Sequence, residues 1–400
     1  MTTAPLAPRT TDDGRALRPA TLAIFGVFFV ESVVLGNWIP RIPDVKAALG
    51  LSDSALGLCL LAMPAGSLVG LGLAGRLVER LGLRESCRLG LVAWSLLFTL
   101  PAFADSPFAL AAALFVSGTA IAFIEVAMNT EADRIEAVRG RRIMSRCHGF
   151  WSLGSMVGAL LGAALAQAGA SVQAHFLATM PVIALVGWAI ASRLPPDTAG
   201  ESDGPAPDEG RGPLFRLPSR AILALCAMPL GIMVVEGAFI DWSAVFMRSV
   251  LDASPLVIGV AYAFFSSVMA ATRLAGDRIA DRLGELAVVR RSGLAATAGV
   301  ALFALAPNVP LAFAGAALAG AGVAIVYPLA VTAAARRPGR SAADNVAALT
   351  MVSFSAFLLG PPLIGLLSDT LGLRTALALL APLAFTTVLL AGEVRAGRHR

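Results

Sequence analysis

The sequence predicts an all-α integral membrane protein. Twelve transmembrane helices form two pseudo-symmetric six-helix bundles, each made of 3+3 inverted repeats, with the N- and C-termini cytoplasmic. Three observations carry this expectation. Of 400 residues, 57% are hydrophobic and only 14% are charged, against about 25% charged in soluble domains. Apolar stretches of about 20 residues, the length that crosses a bilayer, recur along the whole chain. The basic residues fall in alternate gaps between those stretches.

In chain order the expected spans are 20–40, 54–76, 86–104, 107–130, 147–169, 172–193, 220–247, 255–276, 286–306, 309–334, 345–368 and 373–393. The first ends in Asn37-Trp38-Ile39-Pro40 with no small-residue cleavage site, so it reads as a spanning helix and not as a cleaved signal. Asp105-Ser106-Pro107 and Gly169-Ala170-Ser171 supply the two shortest breaks. Residues 194–219 hold six prolines with acidic residues between them, a cytoplasmic linker. The organisation is therefore a cytoplasmic tail 1–19, an N-terminal bundle 20–193, the linker 194–219, a C-terminal bundle 220–393 and a tail 394–400.

Charge placement sets the orientation. With the N-terminus inside, the tails and even-numbered gaps hold 27 arginines, Arg273 being counted in the eighth gap. The odd gaps hold only Arg41, Lys46, Arg248 and Arg374. That asymmetry is a topology signal, so the net charge of +5 is not read as nucleic-acid binding. The lipid bilayer is the expected surrounding. Four scattered cysteines and three histidines give no metal spacing, and no cofactor is expected. No Walker-type loop is present to bind ATP.

A repeat runs through the chain. Gly75 and Gly82 bracket a run containing Glu79, Arg80 and then Arg84. The same seven-residue frame recurs as Gly162…Gly169, as Asp277…Asp281-Arg282…Gly284, and as Gly365…Asp369…Gly372. Gly82 to Gly169 and Gly284 to Gly372 are 87 and 88 residues apart; Gly82 to Gly284 and Gly169 to Gly372 are 202 and 203. Four three-helix units paired into two halves account for both offsets. An odd number of spans per unit inverts neighbouring units in the membrane.

These residues resemble the major facilitator superfamily, whose loop motif after the second span is G-x-x-x-D-R-x-G-R-R. Gly75, Glu79, Arg80, Gly82 and Arg84 match it, with Glu for the usual Asp and Leu83 for the first of the closing basic pair. Asp281, Arg282 and Gly284 match after the eighth span. A narrower resemblance, to bacterial YbjJ-type inner-membrane transporters related to fucose permease, is carried by four segments. They are Gly36-Asn37-Trp38-Ile39-Pro40-Arg41-Ile42-Pro43, Ala127-Met128-Asn129, His148 through Gly154, and Asp241-Trp242-Ser243. The resemblance implies a multi-pass transporter of the bacterial inner membrane, monomeric and not an enzyme. It also implies alternating access, spans 1, 4, 7 and 10 around the cavity, and the loop motifs as a cytoplasmic latch.

Carboxylates inside spans are few: Glu31, Glu125, Glu236 and Asp241. An ionisable residue at membrane depth costs about 2.5–3.5 kcal/mol on insertion scales, and functional use is its default reading. Away from water a carboxylate favours its neutral form, which lets it couple protonation to the state of a cavity. The alternative is a carboxylate that is merely paired or capped. Asn37, Asn129 and Tyr327 are the further candidates for holding a substrate. Asn129 stands one turn after Glu125, and Tyr327 lies 202 residues after it. Trp38 reads as an interface anchor or a cavity wall, and His148 as an interface histidine. Gly154, Gly158 and Gly162 read as a close-packing face. The expected activity is proton-coupled symport of a small polar solute, a sugar or related metabolite. Export of a metabolite or hydrophobic compound is the alternative. Span 5 lacks the proline of drug antiporters, which leans toward symport.

Overall fold

The computed structural model describes residues 13–196 and 218–395, and all the regular structure in them is helical. The linker between the halves and both extreme termini lie mostly outside these residues. Twelve helices are long and apolar enough to cross a membrane. Spans 1–6 are Arg18–Ala48, Asp53–Leu81, Leu83–Phe103, Pro107–Arg139, Met144–Gln167 and Val172–Ala191. Spans 7–12 are Leu223–Asp241, Pro255–Gly276, Glu285–Leu305, Val309–Ala335, Asp344–Leu371 and Leu373–Val394.

Two spans outrun their apolar cores. Span 2 continues to Leu81 and span 4 to Arg139, past the expected ends at 76 and 130. The added residues are mostly good helix formers such as Arg, Glu and Ala, so no local signal stops the helix at the membrane edge. Glycine does stop it. Gly140 ends span 4 at φ 62°, a left-handed geometry that L side chains avoid. The four glycines of the sequence repeat share a positive φ: Gly82, Gly169, Gly284 and Gly372 have φ of 80°, 80°, 76° and 81°. The repeat read from spacing is thus a repeated backbone turn.

Several spans are broken, and three of the breaks bear on the site. Span 1 passes through a 3-10 turn at Ile39–Arg41 into a short helix Ile42–Ala48. Span 7 breaks at Trp242, between helices Leu230–Asp241 and Ser243–Ser249. Pro40 and Trp242 are 202 residues apart, so the two breaks occupy equivalent places in the halves. Span 10 breaks at Ala324 and Ile325, with no counterpart in the unbroken span 4.

Within the first six spans, span 1 packs on span 5 and span 2 on span 4. The glycine stripe of span 5 makes the first contact: a Cβ on Gly154 would lie 2.0 Å from the Phe29 carbonyl oxygen, and one on Gly158 would lie 2.3 Å from that of Val33. Small residues let helix backbones touch in lipid, where there is no hydrophobic drive between helices. Two seams join the halves, span 5 with span 8 and span 2 with span 11.

Candidate functional site

Glu31 sits at the middle of span 1 with its side chain fully buried. Trp151 of span 5 donates its indole N–H to Oε2 at 2.6 Å. Trp94 of span 3 donates to the Glu31 carbonyl oxygen at 3.0 Å. Oε1 has no hydrogen-bond partner. Glu125, half-buried on span 4, is close enough for the two carboxylates to interact electrostatically. Among the described residues no cation pairs with either. Asn129 gives an amide N–H to the Glu125 carbonyl at 2.8 Å, a bond along its own helix.

The equivalent region of the second half is built differently. Glu236 of span 7 is buried and paired with Arg273 of span 8, Nη2 to Oε1 at 2.9 Å. The guanidinium also lies 3.4 Å from the Ala324 carbonyl oxygen, through Nε, and 3.3 Å from Ser152 Oγ, through Nη1. The first contact meets the break of span 10; the second crosses to span 5 of the other half. Tyr262, 1% exposed, shares a hydrogen bond of 3.0 Å with Ser155 and feels the charges of Glu236, Arg273 and Asp241. Asp241 is half-buried at the break of span 7. Next to it Trp242 is buried with its indole N–H unpartnered.

The expected span 8, 255–276, already contains Arg273, although the charge count places it in the eighth gap; it lies within that span, which packs on span 5. It stays there because Glu236 supplies the opposite charge that a half-buried guanidinium favours. A lone Arg ending an apolar run that begins at Pro255 was the available signal. Tyr262, the second of only two tyrosines, and Trp151 were also missed as site residues. So was the setting of His148, which meets Phe28 edge-on and lies in the field of Arg273.

Other predicted residues are placed elsewhere. Asn37 is fully buried; it donates to the Val33 carbonyl at 2.8 Å, and its Oδ1 meets His175 Nε2 at 2.8 Å. Trp38 is neither an interface anchor nor a cavity wall, since it is buried against Phe98 and Phe176. The Tyr327 hydroxyl is hydrogen-bonded to Thr350 of span 11 at 3.0 Å. Tyr327 is thus joined to a span of its own half.

The two ends of the molecule differ. At the arginine-poor end, Asp369 of span 11 accepts from the Asp53 and Ser54 backbone N–H groups at 3.0 and 3.1 Å, capping span 2 of the opposite half. Ser368 also donates to the Asp53 carboxylate, and Lys46 pairs with it. Gln167 of span 5 accepts from Leu256 N–H at the start of span 8, at 3.3 Å. Backbones touch as well: a Cβ on Gly57 would lie 2.4 Å from the Pro361 carbonyl oxygen, and one on Gly365 would lie 2.4 Å from that of Asp53.

At the arginine-rich end, Glu79, Arg80, Asp281 and Arg282 are exposed. No ion pair among the described residues joins the two motifs. Arg84 bonds Ser192 of its own half at 2.5 Å. From residue 71 to 81 span 2 buries only Ala74 and Val78, and a Cβ on Gly72 or Gly75 would meet nothing beyond its own helix within 4 Å. The chain is closed at one end and open at the other.

Residues 21–356 match the family profile of the Major Facilitator Superfamily. An uncharacterized MFS-type transporter of Yersinia pestis is 32% identical over 359 residues, 90% of this chain and 91% of the relative. The membrane protein MosC of Rhizobium meliloti is 29% identical over 401 residues, covering 99% and 94%. Among solved structures, the nucleoside transporter NupG aligns with a TM-score of 0.71 at 14% identity, over 95% of this chain and 99% of that one. A bacterial homolog of the human lysosomal transporter Spinster, inward-facing and unoccupied, aligns at 0.65 with 17% identity, over 98% of each. At such identities the likeness shows the fold.

Proposed function

Because the chain belongs to the major facilitator superfamily, and so is a multi-pass membrane transporter and not an enzyme, we propose that it moves a small polar solute together with protons by alternating access. On this reading it sits in the bacterial inner membrane with both termini cytoplasmic, in the branch of the YbjJ-type transporters. Its two six-span halves, 20–193 and 220–393, rock against each other as a monomer. The arginine-rich end then faces the cytoplasm, and the observed state opens inward.

The observation that carries the reading is Glu31. It is fully buried, one carboxylate oxygen is unpartnered, and a second carboxylate stands nearby without a counter-cation. Such a pair holds two negative charges at high cost, and a bound proton relieves it. Glu125, Asn129 and Asp241 are half-buried; with Tyr327 they complete the proposed binding set. The exposed loop motifs, Gly75 to Arg84 and Asp281 to Gly284, are proposed to latch the inner end when the outer end opens.

The test is proteoliposome uptake with a pH-sensitive dye trapped inside. Sugars, polyols, amino acids and nucleosides are offered in turn, the last because NupG is a nucleoside transporter. A solute that carries protons inward supports symport, and Glu31→Gln should abolish the proton signal. A Glu31→Gln protein that acidifies the lumen as the wild type does would sink the reading. Outward movement of apolar compounds against a proton gradient would replace symport with export.

A further inference from the structure

We propose that Arg273 is the positioning residue that ties the span-7 carboxylate to the seam between the halves, so that a change at Glu236 is felt by span 5. The inference rests on the transport reading above and deepens it.

Three elements meet at this one guanidinium. Its short bond is to Glu236 at 2.9 Å; its contacts to Ser152 Oγ and to the Ala324 carbonyl are longer, at 3.3 and 3.4 Å. Hydrogen bonds to charged groups weaken steeply with such lengthening. The guanidinium is therefore held to its own half and reaches loosely toward the other.

The seam it reaches is otherwise built from uncharged groups. Ser155 and Tyr262 share a hydrogen bond of 3.0 Å, Ser266 Oγ donates to the Ser152 carbonyl at 2.8 Å, and Ser267 Oγ lies 2.9 Å from Met156 Sδ. These bonds join span 5 to span 8 through the middle of the membrane. Arg273 is the charged member of this row, and its partner Glu236 lies on span 7.

When a substrate hydroxyl or a proton draws Glu236 away from Arg273, the ion pair is weakened. The guanidinium, whose side chain is 19% exposed, then loses its main acceptor, and the remaining ones are Ser152 Oγ and the Ala324 carbonyl at the span 10 break. A partly buried donor left without its partner is costly, so those two contacts shorten. The state of one carboxylate thereby changes the grip between spans 5 and 8 and the set of the broken span 10. The other titratable or charged groups around Arg273 are His148 on span 5, Tyr262 on its own span and, through Tyr262, Asp241 on span 7.

The test places spin labels on Leu77→Cys and Ala347→Cys, both exposed at the arginine-rich ends of spans 2 and 11; the four native cysteines are buried. Pulsed distance measurements give the ratio of inward-open to inward-closed molecules across a pH series. Arg273→Gln and Glu236→Gln should each change that ratio about five-fold or more, in opposite directions, and the double variant should resemble Arg273→Gln, because Glu236 acts through the guanidinium. Arg273→Lys should restore most of the wild-type ratio. Arg273→Gln should also move the midpoint of the pH response, and should not move it further once Glu236→Gln is present.

Single effects that multiply in the double variant, or a midpoint unmoved by Arg273→Gln, overturn the proposal. If a single variant fails to fold, the double variant still reports, since it leaves no unpaired buried charge. A wild type whose ratio ignores pH defeats the proton-coupled reading, and Arg273 is then judged on the ratio alone.

Discussion

The two ends of this molecule use related sequence for opposite ends of a cycle. At the arginine-poor end, Asp369 caps the first turn of span 2 across the halves, and glycine lets span 2 touch span 11 backbone to backbone. At the arginine-rich end, Glu79 and Asp281 hold the same place in their own repeats as Asp369, yet stand exposed. A carboxylate at a helix N-terminus is stabilising because free N–H groups and the helix dipole converge there. The closed end shows what the repeated acidic position can do when an opposing helix arrives. On the proposed cycle, the open end keeps the group for the other state.

That comparison can be broken most forcefully at Gly57. A leucine there would drive its Cβ into the Pro361 carbonyl, so Gly57→Leu should keep the closed end apart and reduce transport by about 100-fold or more. Normal helical content by circular dichroism, with retained insertion, would show that folding is not the cause. Transport within two-fold of the wild type, on about the same scale, would mean that this end never needs to close. Next in size is Asp369→Asn. It weakens two hydrogen bonds of one cap across the halves and should shift the population toward the outward-open state by about ten-fold, read from a distance pair across the outer ends.

Trp151→Phe sharpens the contrast at the centre. It removes the N–H donated to Glu31 and leaves the carboxylate without a side-chain partner. Proton-coupled uptake should fall a few-fold, and its pH optimum should move while the ratio of the two states changes little. The smallest functional effect belongs to Asn37→Ala. It strands His175 Nε2 inside one half, costing about 1–3 kcal/mol of stability. Thermal unfolding should therefore occur earlier with the conformational ratio unchanged; a changed ratio would place Asn37 on the moving surfaces.

The spans were legible because lipid demands long apolar helices, and arginine marks the gaps between them. The repeat was legible because a left-handed turn demands glycine four times over. The end contacts were not. Asp369 and Asp53 are 316 residues apart, and nothing local distinguishes an acid that caps a distant helix from one that faces water. Arg273 failed for a different reason: an arginine rule that reads loops has no place for one inside a span, and its partner Glu236 lies 37 residues earlier. Glu31 and Glu125 stood out as carboxylates in apolar helices. That these two are uncompensated while Glu236 is paired with Arg273 is a property of packing alone.

The Glu236–Arg273 pair also has an electrical consequence. Its charges cancel, so the membrane potential exerts little net force on it as the halves rock. An unpaired carboxylate at the same depth is different: a full charge crossing 100 mV is worth about 2.3 kcal/mol. While the pair is intact, the voltage sensitivity of the cycle therefore belongs to the N-terminal half, and neutralising Glu31 should reduce the dependence of turnover on membrane potential.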